Sequence, residues 1–176
     1  MVLQAIIYKN GRLQILDQQK LPHVQVYENL SSAQDAWHAI KNMQVRGAPA
    51  IAIVAILALA VEIQNIATDG HLSSVAGEVS LYLQEKLNYL VTSRPTAVNL
   101  SDAAEKLKKV VEEAASKSEA TGNEIKDAYA NAAELMLEKD VQDNLAIGKL
   151  GAEWITQHSK AFGEGPLSVL THCNTG

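Results

Sequence analysis

The chain has 176 residues, 47% of them hydrophobic and 20% charged, with a formal charge of −5, an ordinary globular composition with room for one sizeable core. The negative balance argues against nucleic acid as the main partner, since gripping phosphates over a large surface needs net basic character. It leaves room for a small phosphorylated ligand held by one or two arginines.

A single cysteine cannot form an internal disulfide, and the opening MVLQAIIYKNGRLQ lacks a basic region followed by a long apolar core. No secretory leader is read, and a cytoplasmic location, with a nuclear share as the alternative, is expected. In chain order, AIIYK and RLQIL flank Asn10-Gly11, the strongest two-residue hairpin signal, because both positions of a type I′ turn need positive φ. After Pro22, His23 to Glu28 alternates and predicts a third strand. Ser31 with Gln34, or Ser32 with Asp35, caps a helix whose face carries Ala33, Trp37, Ile40 and Met43.

Gly47-Ala48-Pro49 opens the most apolar run, Ala48 to Val61, which sits between Arg46 and Glu62. It is shorter than the ~20 residues a membrane span requires, so it reads as a buried central helix and no membrane partner is expected. A helix over about 73–91 lines up Leu83, Leu87 and Leu90; Arg94-Pro95-Thr96 breaks the pattern, and the next helix covers about 98–117. Thr121 with Glu124 caps a further helix through Ile125, Tyr129, Ala132 and Met136. Gly148 and Gly151 predict a bend or close approach before a last helix through Trp154. Gly163 to Pro166 punctuates, and LSVLTH predicts a short buried strand.

The expected fold class is therefore α/β. A small antiparallel β-unit and a helical bundle fill residues 1–162, and residues 163–176 begin a truncated second domain, because a lone strand cannot form a sheet.

Three stretches can carry chemistry. In VRGAPAIA, Arg46 offers a bidentate donor fork, Gly47 allows close approach, and Ala48 starts a helix whose free N–H groups and dipole suit a phosphate. The plainer alternative is a solvated arginine beside an ordinary helix start. In TSRPTAVNL, Arg94 again precedes a helix, with Thr96 as its N-cap; the alternative is a surface arginine in a turn. Two such helix starts, if they converge, make an anion pocket. In THCNTG, Cys173 lies at a strand edge, where open α/β sheets place ligands; the alternative is an inert buried thiol. His172 is its neighbour and points to the opposite face of a strand, so the two do not pair.

Glu138, Asp140 and Asp143 read as solvated carboxylates, and Trp37 and Trp154 as core anchors. The histidines show no metal-ligand spacing, and neither a Walker loop nor a dinucleotide fingerprint occurs, so neither metal nor cofactor is expected.

Taken together, VRGAPAIA, TSRPTAVNL and LTHCNTG closely resemble the methylthioribose-1-phosphate isomerase family of methionine salvage. MLEKDVQDNLAIGKLGA and the opening hairpin fit the same family. The resemblance covers the whole chain but only about the N-terminal half of the family's length. It implies conversion of 5-methylthioribose 1-phosphate, an aldose, to 5-methylthioribulose 1-phosphate, a ketose, without a cofactor. It further implies that residues 163–176 begin a Rossmann-like domain, with substrate contacts from Arg46, Gly47, Ala48 and Arg94, transition-state stabilisation by Cys173, and an acid/base aspartate beyond residue 176. A homodimer of the full-length protein, inactivity of residues 1–176 alone, and a small sugar phosphate as partner are also implied. The sister group, the alpha, beta and delta subunits of the translation-initiation exchange factor, gives a regulatory binding protein as the alternative. A ribose-1,5-bisphosphate isomerase is another.

Overall fold

The computed structural model describes residues 3–159 and 165–170. Strands β1 (Ile6–Lys9) and β2 (Arg12–Leu16) pair antiparallel across Asn10 and Gly11, whose φ values of 52° and 68° are those of a type I′ turn. Strand β3 (Tyr27–Leu30) pairs antiparallel with β2, setting Leu13 against Leu30 and Leu16 against Tyr27. The third strand thus begins later than His23. A turn closed by Val24 N–H on the Lys20 carbonyl occupies that stretch, and β2 offers partners only as far as Tyr27.

Five helices follow: α1 (Ala33–Lys41), α2 (Ala48–Thr68), α3 (Ala76–Val91), α4 (Val98–Ala115) and α5 (Gly122–His158). Ser32 is the N-cap of α1 and accepts from Asp35 N–H at 3.1 Å, while the Asp35 carboxylate accepts from Ser31 N–H and Oγ, both at 2.9 Å. Of the expected apolar face, Ala33 and Ile40 are buried and Trp37 is half-buried. Met43 lies beyond the helix end and is exposed.

Helix α2 is the axis of the molecule. It contacts α1, α3, α4, α5 and the first two strands, and every residue from Ile51 to Ile63 is buried. Its 21 residues are long and apolar enough to cross a membrane, more than the Ala48–Val61 run alone implied, yet 67% of its apolar window is enclosed by neighbouring elements. That enclosure accounts for a helix apolar all round.

One polar residue interrupts the buried stretch from Ile51 to Ile63. The Glu62 carboxylate, 9% exposed as a residue, accepts from Ala33 N–H at the start of α1 and from the Tyr82 hydroxyl, and pairs with Lys86 Nζ at 2.7 Å. Burial raises its pKa, but the Lys86, Tyr82 and Ala33 hydrogen bonds and the Lys86 charge outweigh that and hold it below the ordinary carboxylate value. Three helices are thereby joined at one buried anion.

Leu83, Leu87 and Leu90 of α3 are fully buried against this axis, as their spacing predicts. Thr121 and Glu124 form the expected capping box at α5. Tyr129 Oη, fully buried, donates to the Ile56 carbonyl of α2 at 2.9 Å.

The close approach expected at Gly148 and Gly151 does not occur. α5 runs unbroken through both, and nothing among the described residues comes within 4 Å of a Cβ placed on either. The helix projects past the bundle, so that Leu145, Ile147 and Leu150 are exposed. Trp154, expected in the core, is 54% exposed and stacks on His158.

Leu167 to Leu170 are exposed and form no strand, since no partner strand lies beside them among the described residues. The 162/163 boundary and the remainder of LSVLTH fall outside the described residues.

Candidate functional site

Arg46 lies in the connection between α1 and α2, and Arg94 in that between α3 and α4. The bundle brings these connections side by side. They line one cleft of about 520 Å³ with Gly47, Ala48 and Ile51 from the start of α2, Thr96, Ala97, Val98 and Asn99 from the start of α4, and Met43. The two arginine-bearing helix starts thus converge on one space. Both arginines are partly exposed, and among the described residues neither is paired with a carboxylate.

The helix ends at the cleft differ from the others. α1, α3 and α5 each carry an acidic residue in the first turn, Asp35, Glu78 and Glu124. α2 and α4 carry none, and neither has a side-chain cap. Apart from Pro49, which has no N–H, and Leu100, whose N–H donates to the Ala97 carbonyl, their first-turn N–H groups and positive dipole ends therefore remain open to an outside anion. Thr96, expected as the cap of α4, lines the cleft instead. Ala97 takes the N-cap position, its N–H donating to the Arg94 carbonyl at 2.9 Å. Gly47, at φ 92°, is the N-cap of α2, and its missing side chain leaves the backbone accessible.

The arginine-bearing connections are braced. At the end of α1, Met43 N–H donates to the Ile40 carbonyl (3.1 Å) and Gln44 N–H to the Ala39 carbonyl (2.9 Å). This is the paired bonding of a Schellman stop, with Met43 at φ 60° in the place glycine usually takes. The Met43 carbonyl in turn accepts from Arg46 Nε at 3.3 Å. On the other side, Trp37 of α1 stacks on Tyr89 and donates from Nε1 to Thr92 Oγ1 at 2.9 Å. Sequence reasoning took Trp37 for a core anchor and missed this role. A half-buried tryptophan needs a partner for its N–H, and that is the signal that could have raised the question.

Chemically, the cleft presents two guanidinium groups and two uncapped helix starts together with the apolar side chains of Met43, Ile51 and Val98. It suits a small molecule with a strong anion and an apolar portion. Cys173, the remaining sequence candidate, lies outside the described residues, as does His172.

The model of the initiation factor 2 subunit family matches residues 44–176, which include both arginines. The chain belongs to that family. Among its relatives, a methylthioribose-1-phosphate isomerase from Pyrenophora tritici-repentis is 59% identical over all of this chain and 44% of its own length. One from Talaromyces marneffei is 56% identical over all of this chain and 46% of its own. The chain thus spans less than half the length of these curated relatives.

In the crystal structure of 5-methylthioribose 1-phosphate isomerase from Pyrococcus horikoshii OT3, 40% of that chain superposes on 86% of this one (TM-score 0.70, 32% identity). The delta subunit of translation initiation factor eIF-2B from A. fulgidus gives a TM-score of 0.71 at 29% identity, over 87% of this chain and 42% of its own. A three-stranded sheet followed by helices is the family's fold here.

Proposed function

We propose that this chain is the phosphate-gripping part of an aldose–ketose isomerase that converts 5-methylthioribose 1-phosphate to 5-methylthioribulose 1-phosphate in methionine salvage. The observation that carries the reading is the meeting of Arg46 and Arg94 at two uncapped helix starts. It is supported by the 54–59% identity to proteins bearing the isomerase name.

In such a substrate the phosphate blocks the anomeric oxygen, so the ring cannot open as an ordinary aldose does. A hydrogen must pass between neighbouring carbons, as a proton or a hydride, while charge develops on oxygen. A water-poor pocket with placed donors serves that step. In this proposal Arg46, Arg94 and the backbone at Gly47 and Ala48 hold the phosphate, and its remote binding energy orients the reacting carbons. Cys173 stabilises the transition state, and an aspartate in a longer chain serves as acid/base. A homodimer in the cytoplasm belongs to the same proposal.

The delta-subunit likeness supports a second reading, a binding protein of the same fold without turnover. The test is ketose phosphate formation from 5-methylthioribose 1-phosphate, by the 176-residue chain and by one extended to the length of its relatives. The extended chain is expected to turn over and the short one not. Turnover by the short chain would overturn its assigned inactivity, and none by the extended chain would favour the binding-protein reading.

A further inference from the structure

Met43 is the one cleft-lining residue whose backbone works against its side chain. A left-handed φ of 60° suits glycine and disfavours any residue with a Cβ, and this position in a helix stop is one that glycine usually fills. The methionine is nonetheless there, 46% exposed, at the edge of the cleft that holds Arg46 and Arg94. Neither the core nor the helix stop requires its thioether, because the stop is made by the backbone bonds of Met43 and Gln44. Val98, 76% exposed, and buried Ile51 line the same cleft. Apolar surface of this kind contributes nothing to holding a bare phosphate.

We propose that Met43 is a specificity-determining residue, its side chain contacting the apolar substituent of a phosphorylated ligand whose anion sits at Arg46 and Arg94. The inference rests on the proposed function above and assigns the thioether end of that substrate to the side chain of Met43. A flexible, polarisable thioether is suited to such a contact. The Met43 carbonyl has a separate task, since it receives Arg46 Nε and so helps aim the guanidinium. Backbone and side chain of one residue thus serve the two ends of one ligand.

Met43→Gly separates these tasks, because glycine keeps the left-handed carbonyl and removes the side chain. The variant is expected to melt at a slightly higher temperature than the parent. By calorimetric titration of the 176-residue chain it should bind inorganic phosphate and ribose 1-phosphate as the parent does. It should bind 5-methylthioribose 1-phosphate about tenfold more weakly, the order expected for losing contact with a small apolar group. With methionine methyl groups labelled with carbon-13, the parent's Met43 signal should move on adding the methylthio sugar and stay in place with phosphate. Unchanged affinity of Met43→Gly for the methylthio sugar would overturn the proposal while leaving the anion site standing. Failure of the parent to bind either phosphate or the sugar would overturn both.

Discussion

Trp37 Nε1 donates to Thr92 Oγ1 at 2.9 Å, tying α1 to the connection that carries Arg94. The same indole stacks on Tyr89, with ring centroids 5.9 Å apart. One side chain of α1 therefore braces the connection that carries Arg94. Trp37→Phe keeps an aromatic ring there and removes the donor. We expect a stability loss of about 1 kcal/mol in urea unfolding and phosphate binding weakened a few-fold. Full stability with unchanged binding would deny the brace.

The open helix starts predict stabilisation by anions. A ligand that binds only the folded chain raises its melting temperature in proportion to RT ln(1 + [L]/Kd). Phosphate should therefore raise the melting temperature more than sodium chloride at equal ionic strength, and Arg46→Gln should reduce the difference. Equal effects of the two salts would show that phosphate acts on this chain only by screening.

Glu62 contributes to the acid limb of stability. Its folded pKa is held below the ordinary value of 4.5, despite burial, by Lys86, Tyr82 and Ala33. A depressed carboxylate stabilises the fold above its unfolded pKa, and that contribution is lost as pH falls through the lowered folded value. Urea unfolding across pH 3 to 7 should show the parent losing stability below about pH 4.5. Glu62→Gln should be less stable at pH 7 by about 2 kcal/mol and flatter toward acid. A variant that keeps the parent's slope would move the acid sensitivity elsewhere.

Gly122 opens α5 where α5 meets the segment before α3. A Cβ there would stand 1.9 Å from the Ser73 carbonyl oxygen and 3.0 Å from Val79 Cγ2. The backbone cannot easily yield, because Gly122 N–H donates to the Ser74 carbonyl at 2.9 Å. Gly122→Ala should lose about 3 kcal/mol. Gly148→Ala, mid-helix with no described residue within 4 Å of the added Cβ, should gain about 0.5 to 1 kcal/mol. The same unfolding measurement reads both, and the reverse order would contradict the packing described.

Much of this was legible because local rules and global packing agreed. Asn10-Gly11, the Thr121–Glu124 box and the Leu83, Leu87, Leu90 stripe each announce an element from a few residues. The apolar run of α2 announces a centre for them to surround. Arg46 and Arg94 were legible as helix-start arginines, but their meeting depends on how α1, α2, α3 and α4 pack, which no local pattern encodes. Met43 was misplaced because its spacing extends the apolar face of α1, whereas the Schellman stop turns the chain at Met43 itself. The unbroken course of α5 through two glycines was missed because a helix interior tolerates glycine at about 1 kcal/mol apiece, which the rest of a 37-residue helix outweighs.

The central claim is that Arg46 and Arg94 grip one anion together. Calorimetric titration of the chain with 5-methylthioribose 1-phosphate, in the parent and in Arg46→Gln and Arg94→Gln, tests it most directly. One site per chain is predicted, with affinity reduced about tenfold or more by either substitution, the scale of one lost charge-assisted hydrogen bond. Binding that survives either substitution unchanged would contradict the claim.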